Sequence, residues 1–256
     1  MSALSSRIAT AVPAILVAAT LLAAWHIAVV ASGAQIIPSP VAVAKAIGEL
    51  QANGTLLPHI GASLGRVVAG YLLAVVIGVP IGFLMGMRRE LAVALNPAIQ
   101  FLRPISPLAW LPVAVVLLGI GNAAAIMLIF LASFFAVIMS SMNAVGSVRE
   151  VHLRVGRSFG LSPRKLLTRI LLPSAMPQLL VGLRMTLGIA WLVVVAAEML
   201  GVRSGLGYLV IDARNAGKRY DLVVAAMVCI GVIGFVLDFA MRLLEKALTG
   251  RWRNAV

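Results

Sequence analysis

Charged residues are scarce in this sequence. Only 11% of its 256 residues are charged and 62% are hydrophobic, whereas a soluble domain has about 25% charged and about 45–50% apolar residues. A soluble fold of this size could not bury so much apolar surface, because a large part of any folded domain stays exposed. The composition therefore excludes an ordinary soluble protein and predicts one that lies in a membrane.

Acidic residues are scarcer still, 8 against 21 lysines and arginines, which gives a net charge of +13. A nucleic-acid-binding protein would gather its basic residues on an exposed face among aromatics. Here they lie at the ends of apolar segments, as the positive-inside rule and anionic lipid favour. The single cysteine, Cys229, excludes an intrachain disulfide framework. We therefore expect contact with membrane lipid and none with nucleic acid.

No constellation of catalytic or metal-binding residues is visible. The three histidines, His26, His59 and His152, lack metal-ligand spacing. The segment Gly61–Gly65 matches the G-x-S-x-G hydrolase pattern, but it opens a membrane helix with no histidine or acid placed to serve it. There is no phosphate-binding G-x-x-x-x-G-K-[ST] loop. We predict a chain that is not an enzyme and binds no metal or cofactor, with nucleotide energy supplied by partner chains.

Six apolar runs are long enough, at about 20 residues each, to cross a bilayer as helices. The first exceeds the ~7–15-residue core of a signal peptide, so we interpret it as a retained membrane helix. The distribution of basic residues favours an N-in, C-in orientation. No low-complexity linker divides residues 1–256, which predicts a single all-α transmembrane domain. The runs are Ile8–Ala31, Ile60–Met87, Phe101–Gly119, Ala123–Asn143, Leu172–Leu200 and Leu222–Leu244.

The second run carries small residues at four-residue spacing, which lines them along one helix face where another backbone can approach closely. These residues are Gly70, Ala74, Gly78, Gly82 and Gly86, and Gly61 and Gly65 repeat the spacing nearer the outer end. The pattern fits packing within the subunit or a contact between subunits. Between the first two runs, the residues after Pro40 fit a short helix, but a plain amphipathic connector is favoured because one short periodic stretch is weak evidence.

The third run is interrupted by Pro104, Pro107 and Pro112, with Pro97 just before it. Each proline removes a backbone donor and disturbs the preceding turn. A helix so interrupted cannot face lipid, because its unpaired carbonyls would lie in hydrocarbon. It must be buried in protein or line a wet cavity. As candidates for the translocation path we take Arg103, Ser106 and Trp110.

The fifth run contains Arg184, Trp191 and Glu198. Ionisable residues inside a membrane are costly, so Arg184 and Glu198 are functional hypotheses. All three residues are taken as candidates for the translocation path or its gate. We predict a structural role on the inner side for Arg184 and an outer-gate role for Glu198, with Arg203 or Arg214 as its partner. The outer loop after this run is basic, which fits either an anionic substrate or a solvated surface.

The most basic connection, about residues 144–172, reads RVGRSFGLSPRKLLTRILLP from Arg154 to Pro173. It resembles the signature loop of binding-protein-dependent ABC importer permeases, E-A-A-x-x-x-G-x9-I-x-L-P. Gly160, Ile170, Leu172 and Pro173 fall at matching positions, whereas Arg154-Val155-Gly156 stands in place of Glu-Ala-Ala. Further segments are similar to the nitrate/sulfonate/taurine branch: Pro38–Pro40, Leu102–Pro112, Gly182–Trp191, Ala196–Leu200 and Ser204–Gly207.

The resemblance implies the type I ABC importer permease fold in a bacterial inner membrane. It implies a homodimer that works by alternating access, with two cytoplasmic ATPase subunits that hold ATP and Mg²⁺ and a periplasmic or lipid-anchored binding protein. A coupling helix near Val151–Phe159 would sit in the ATPase. The residues carried over to this role are Arg154, Val155, Gly156, Ser158, Phe159, Gly160, Leu161, Pro163, Ile170, Leu172 and Pro173.

The expected substrate is a small anionic nutrient of the nitrate, alkanesulfonate or taurine class. A vitamin precursor, an aromatic carboxylate or bicarbonate remains an alternative within the same fold. A passive channel or a membrane-embedded enzyme is disfavoured, because no cluster of paired titratable groups is visible.

Overall fold

The computed structural model describes residues 2–33, 36–215 and 217–253, and within these ranges every regular element is helical. The helices are α1 (Ser2–Ser32), α2 (Pro40–Ala52), α3 (Leu56–Met87), α4 (Arg89–Leu102), a 3-10 turn (Pro107–Trp110), α5 (Leu111–Leu118), α6 (Asn122–Gly146), α7 (Glu150–Ser158), α8 (Pro163–Leu166), a π-helical turn (Leu167–Leu171), α9 (Leu172–Gly201), α10 (Leu206–Asn215) and α11 (Tyr220–Arg253).

Among the described residues, five helices are long and apolar enough to cross a membrane, and they confirm five of the six predicted spans. The third, predicted as an irregular span interrupted by prolines, is a bent pair of helices that makes a sixth span if the pair is counted as one. Helix α4 ends at Leu102 and the chain resumes at Pro107 at an angle of 82°. The physical reason is proline spacing, because Pro104 and Pro107 remove backbone donors within one turn. Neither half is long enough to span a bilayer alone.

Three of the long helices, α3, α6 and α9, pack together around a shared core. Helices α3 and α6 run parallel, since Gly70 faces Ile129 and Gly86 faces Val145. Helix α9 runs against both, with Gly182 against Ser140 of α6. All basic-loop elements, α7, α8 and the π turn, therefore gather at one end of the bundle, which we name the loop end. Helix α10 lies at the other end, which we name the far end.

The glycine stripe on α3 packs against α6 of the same subunit. A Cβ atom at Gly82 would lie 2.4 Å from the carbonyl oxygen of Ile138, and one at Gly78 would lie 2.9 Å from Val137. Backbones approach this closely only where side chains are absent. At Gly61 and Gly65, in contrast, nothing lies within 4 Å of a Cβ position. The stripe thus serves packing within the subunit over its later turns only.

The segment after Pro40 is a helix, so the favoured interpretation as a plain connector is wrong. Ser39 caps α2 by accepting a hydrogen bond from the Ala42 N–H, and proline occupies the first turn, where its missing N–H costs nothing. Val43, Ala46 and Leu50 are buried in the core shared with α3, α9, α10 and α11. The helical periodicity was hard to detect in the sequence because it rests on only three buried positions, at three- and four-residue spacing.

We predict that Gly82→Ala destabilises the protein by roughly 1–3 kcal/mol, because the added methyl group has no room against α6. The matched control is Gly65→Ala on the same helix, where space is open and alanine favours helix, so its stability is unchanged or slightly higher. Thermal unfolding in detergent compares the two. Equal melting temperatures would show that α3 and α6 do not pack as described.

Candidate functional site

An ion pair is buried at the far end of the bundle between α3 and α9. The Arg66 Nη1–H donates to Glu198 Oε1 at 2.5 Å, and the side chains of the pair are 4% and 0% exposed. Ser63 Oγ and the Gly207 N–H donate to Glu198 Oε2, at 2.8 and 3.0 Å. Arg66 also donates to the backbone and side-chain oxygens of Ser204. Helices α3, α9 and the start of α10 are therefore joined through one carboxylate.

The turn from α9 to α10 is built around this carboxylate. Gly205 has a φ of +104°, and a Cβ there would lie 2.2 Å from Glu198 Cδ. A Cβ at Gly207 would lie 2.2 Å from the Val195 carbonyl oxygen. Only glycine satisfies both the positive φ and the close approach. The Leu206 N–H donates to Ser63 Oγ at 2.9 Å, so the start of α10 is also bonded to α3.

Glu198 does not pair with Arg203 or Arg214, and that prediction is wrong. Those arginines are near it in the sequence, but both are exposed and the Glu198 side chain points towards α3. Its partner is Arg66, an ionisable residue inside a predicted span. Placing a charge in a membrane is unfavourable, and this is the feature of the sequence that could have marked Arg66 as a functional candidate. Only the packing of α3 on α9 identifies the pair.

Ser63 does have an acid placed beside it, contrary to the sequence-based expectation. The serine is fully buried and donates to Glu198, while the nearby His59 accepts the Gly205 N–H at Nδ1, 3.0 Å away. A nucleophile needs a base to take its proton and access for a substrate. Ser63 lies in the packed interior, and the observed contacts give it a structural role.

Arg184 lies on α9 beside two acids of α11. Its Nε is 3.8 Å from Asp238 Oδ1 and its Nη1 is 3.7 Å from Glu245 Oε2, which are ion-pair rather than hydrogen-bond distances. Trp191 is buried about two turns further along the α9–α11 contact and donates its indole N–H to the Ile230 carbonyl at 3.1 Å. Both residues therefore tie α9 to α11, the last spanning helix.

The bend between α4 and the 3-10 turn encloses a cavity of about 210 Å³. Arg103 and Trp110 line it, with apolar residues of α6 and Ile189 of α9. Ser106, at the start of the 3-10 turn, is exposed and is not part of its wall. The broken helix thus brings together two of the three candidates named from the proline run.

At the loop end, α7 packs against α8 and the π turn, which lead into α9. A Cβ at Gly156 would lie 2.5 Å from Ile170 Cδ1 and 2.7 Å from Leu166 Cδ1, so the glycine is the contact point. Leu153 adds an apolar contact with the cluster around Phe83 and Val145. The sequence pointed to Gly156 as a departure from the signature, and the structure gives it a packing role.

The other signature residues surround this contact. Gly160 ends α7 with a φ of +69°, the left-handed conformation that glycine adopts at helix ends. Ile170 lies in the π turn, and Leu172 and Pro173 open α9.

Arg154 is exposed and pairs with Glu150 at 2.8 Å, one turn away. Val155, Ser158 and Phe159 are exposed, whereas Leu161 is half-buried, and Pro163 opens α8.

Comparison with known protein families identifies the family of this chain. Residues 78–250 match the family described as binding-protein-dependent transport system inner membrane component. The chain belongs to this family. It is the multi-pass, membrane-spanning permease subunit of an ABC importer, and its signature loop, bundle and broken helix lie within or beside the matched residues.

Three relatives place it among permeases of the nitrate, sulfonate and taurine branch. The taurine transport system permease protein of Escherichia coli is 39% identical over 80% of this chain and 74% of the relative. A putative aliphatic sulfonates transport permease protein of Bacillus subtilis is 33% identical over 94% and 87%. The nitrate import permease protein of Synechococcus elongatus is 37% identical over 69% and 64%.

Among solved structures, an inward-facing conformation of the MetNI methionine ABC transporter shares the fold. Its matched chain superimposes with a TM-score of 0.70 at 20% identity, covering 78% of this chain and 98% of that one. The predicted all-α, type I importer permease fold is confirmed.

We predict that Glu198→Gln destabilises the permease by about 3–5 kcal/mol, because it leaves the Arg66 charge buried without a counterion. Transport falls with it, since α10 loses its anchor. Glu49→Gln is the matched control, because Glu49 pairs with Arg219 on the exposed surface, where an ion pair contributes about 0–1 kcal/mol. Thermal unfolding and substrate uptake are measured on both. Wild-type uptake by Glu198→Gln would refute the outer-gate role.

Proposed function

We propose that this permease imports a small oxyanion, driven by ATP hydrolysis on separate partner subunits. Two cytoplasmic ATPase subunits hold ATP and Mg²⁺, a binding protein delivers the substrate at the far end, and two copies of this chain form the pathway. The chain itself hydrolyses nothing and binds no cofactor. The observation that carries the proposal is the surface of α7, which is attached to the bundle on one side and exposed on the other.

The exposed face of α7 is apolar where a partner would cover it. Val151, Val155 and Phe159 follow each other at four-residue spacing and are 63%, 48% and 82% exposed. Residues four apart lie on one face of a helix. Arginines 154 and 157 flank this face. A stripe of exposed hydrophobic side chains rimmed by charge is typical of a protein interface, and the ATPase subunit is the partner that this surface fits.

A push on α7 can reach the membrane-spanning part through a short stiff path. Gly156 touches Ile170 of the π turn, and that turn runs without a break into α9, with Pro173 in its first turn. π-helical turns inside longer helices are frequently found at functional sites. The α9 rod then extends to Glu198 at the far end. We propose that alternating access uses this rod and the α4–α5 bend.

The substrate class rests on the relatives and on charge. Taurine carries a sulfonate group, and aliphatic sulfonates and nitrate present oxygen atoms bearing a negative charge. At the far end, Arg203, Arg214 and Lys218 are exposed. Arg219 is held by Asp221 and Glu49, whose hydrogen bonds raise the pKa of its guanidinium. A surface of this sign attracts anions, or an acidic face of the binding protein.

We predict that Gly156→Leu uncouples ATP hydrolysis from uptake, because the side chain has no room against Ile170 and Leu166 and displaces α7. Gly160→Ala adds no clash and costs only about 1 kcal/mol of backbone strain at its positive φ, so its effect on coupling is smaller. A bulky residue at Gly160 is expected to uncouple as well. The measurement is substrate moved per ATP hydrolysed in proteoliposomes. Unchanged ratios for Gly156→Leu and for the bulky replacement of Gly160 would contradict the coupling role.

A reconstitution experiment tests the substrate class. The chain is assembled with its ATPase subunits, and ATPase activity is compared with binding proteins loaded with nitrate, taurine, an alkanesulfonate or bicarbonate. Stimulation by one loaded binding protein establishes import and names the substrate. A complex that assembles but responds to none refutes the oxyanion class, and failure to assemble refutes the role of α7.

A further inference from the structure

A cleft opens beside Arg66 at the far end, and no role has yet been given to it. Its volume is about 240 Å³. One wall is α3, where Gly61 and Gly65 leave the backbone uncovered, and the opposite wall is the first turn of α6. The lining residues are Gly61, Ala62, Gly65, Arg66, Asn122, Ile126 and Ser204.

Each side-chain acceptor at this cleft, and the Ser204 carbonyl, already takes one hydrogen bond from Arg66. Asn122 Oδ1 accepts the Arg66 Nε–H at 2.8 Å, and the Ser204 carbonyl accepts an Nη1–H at 2.8 Å. Both oxygens of Glu198 are taken, one by Arg66 and the other by Ser63 and the Gly207 backbone. No carboxylate is left to attract a cation.

The donors, by contrast, are not used up. An asparagine amide carries two N–H groups and a serine hydroxyl one O–H. Within the described part of the chain, neither Asn122 Nδ2 nor the Ser204 hydroxyl donates to any acceptor, although Ser204 Oγ accepts from Arg66. The guanidinium has five N–H groups and uses four of them. The cleft therefore presents unused N–H and O–H donors of Asn122, Ser204 and Arg66, and no free carboxylate.

A small group rich in acceptor oxygens is the chemical complement of such a surface. The Glu198 carboxylate neutralises the Arg66 charge. An anion in the cleft would therefore be bound by hydrogen bonds from N–H and O–H groups, without an unpaired positive charge. Weak holding of this kind suits a transport path, where the substrate must enter and also leave. The exposed glycine face of α3 leaves room for a head group of three or four heavy atoms.

We infer that this cleft binds the oxyanion head group of the transported substrate, through Asn122, Ser204 and Arg66. The inference rests on the proposed function and adds to it a substrate contact within the permease. The ligand class is a nitrate, bicarbonate or sulfonate group. A phospholipid phosphate has the same chemistry, and the experiment separates the two sources.

The test measures anion binding without relying on transport. A cysteine is placed at Gly65, where a side chain meets open space, in a chain whose own thiol is removed by Cys229→Ser. The variant is assembled with its ATPase subunits in zwitterionic lipid nanodiscs and labelled with an uncharged maleimide. Nitrate, bicarbonate or methanesulfonate is expected to slow labelling in a saturable manner, whereas chloride at the same ionic strength is not.

The matched pair of variants is Asn122→Asp and Asn143→Asp. Both exchanges are isosteric and both positions are exposed on α6, but Asn143 lies at the loop end, away from the cleft. Asn122→Asp removes two donors and adds a negative charge, so the midpoint for protection rises at least about tenfold, as expected for loss of one charge-assisted hydrogen bond. Asn143→Asp leaves the midpoint unchanged.

Absent protection, equal protection by chloride, or equal midpoints in the two variants would overturn the inference. Protection that arises only when anionic lipid is added, without any small anion, would also overturn it, since the cleft would then hold a lipid phosphate. The proposed function is judged separately by ATP-driven uptake in the same assembly. Uptake without protection rejects the cleft alone. Protection without oxyanion uptake rejects the proposed function, and with it the identification of the bound anion as the transported substrate.

Discussion

The far end of this permease depends on the pairing of Arg66 with Glu198. A buried carboxylate is tolerated only when its oxygens are filled by donors, and here those donors come from α3 and from the turn into α10. That requirement fixes the path of the turn, the glycines at positions 205 and 207, and the seat of α10 against α3. The ion pair thus acts as a geometric constraint first, and its net stabilisation is secondary, because burying both charges costs free energy.

The two ends of the bundle are built differently. The far end is held by directional hydrogen bonds around one carboxylate, which permit a single arrangement. The loop end is held by apolar contacts of Gly156 and Leu153 and by a π turn at the start of the α9 rod. Apolar contacts are not directional, so they fix the orientation of the groups less strictly than the hydrogen bonds of the far end do. Helix α9 connects the two ends.

The signature loop could be found from the sequence because its residues are adjacent in the chain and their spacing reflects local structure. Gly160 marks a helix end, and Pro173 marks a helix start. The glycine stripe was equally visible, but its partner, α6, was not. The spacing of small residues indicates that another helix packs closely, but it does not identify that helix. Trp110 and Arg103 were found through the prolines around them. Asn122 and Ser204 gave no signal, because an asparagine and a serine at the ends of apolar segments are ordinary.

By itself, the sequence determined the membrane environment, the helical class, the number of apolar segments and the family resemblance, since each of these follows from composition or from residues near one another in the chain. Only the tertiary structure decided that Arg66 is the partner of Glu198, that the third segment bends by 82°, and that donors converge beside Gly61 and Gly65. The reason is that these features join residues more than fifty positions apart or depend on backbone direction. Helix packing sets both, and no local pattern records them.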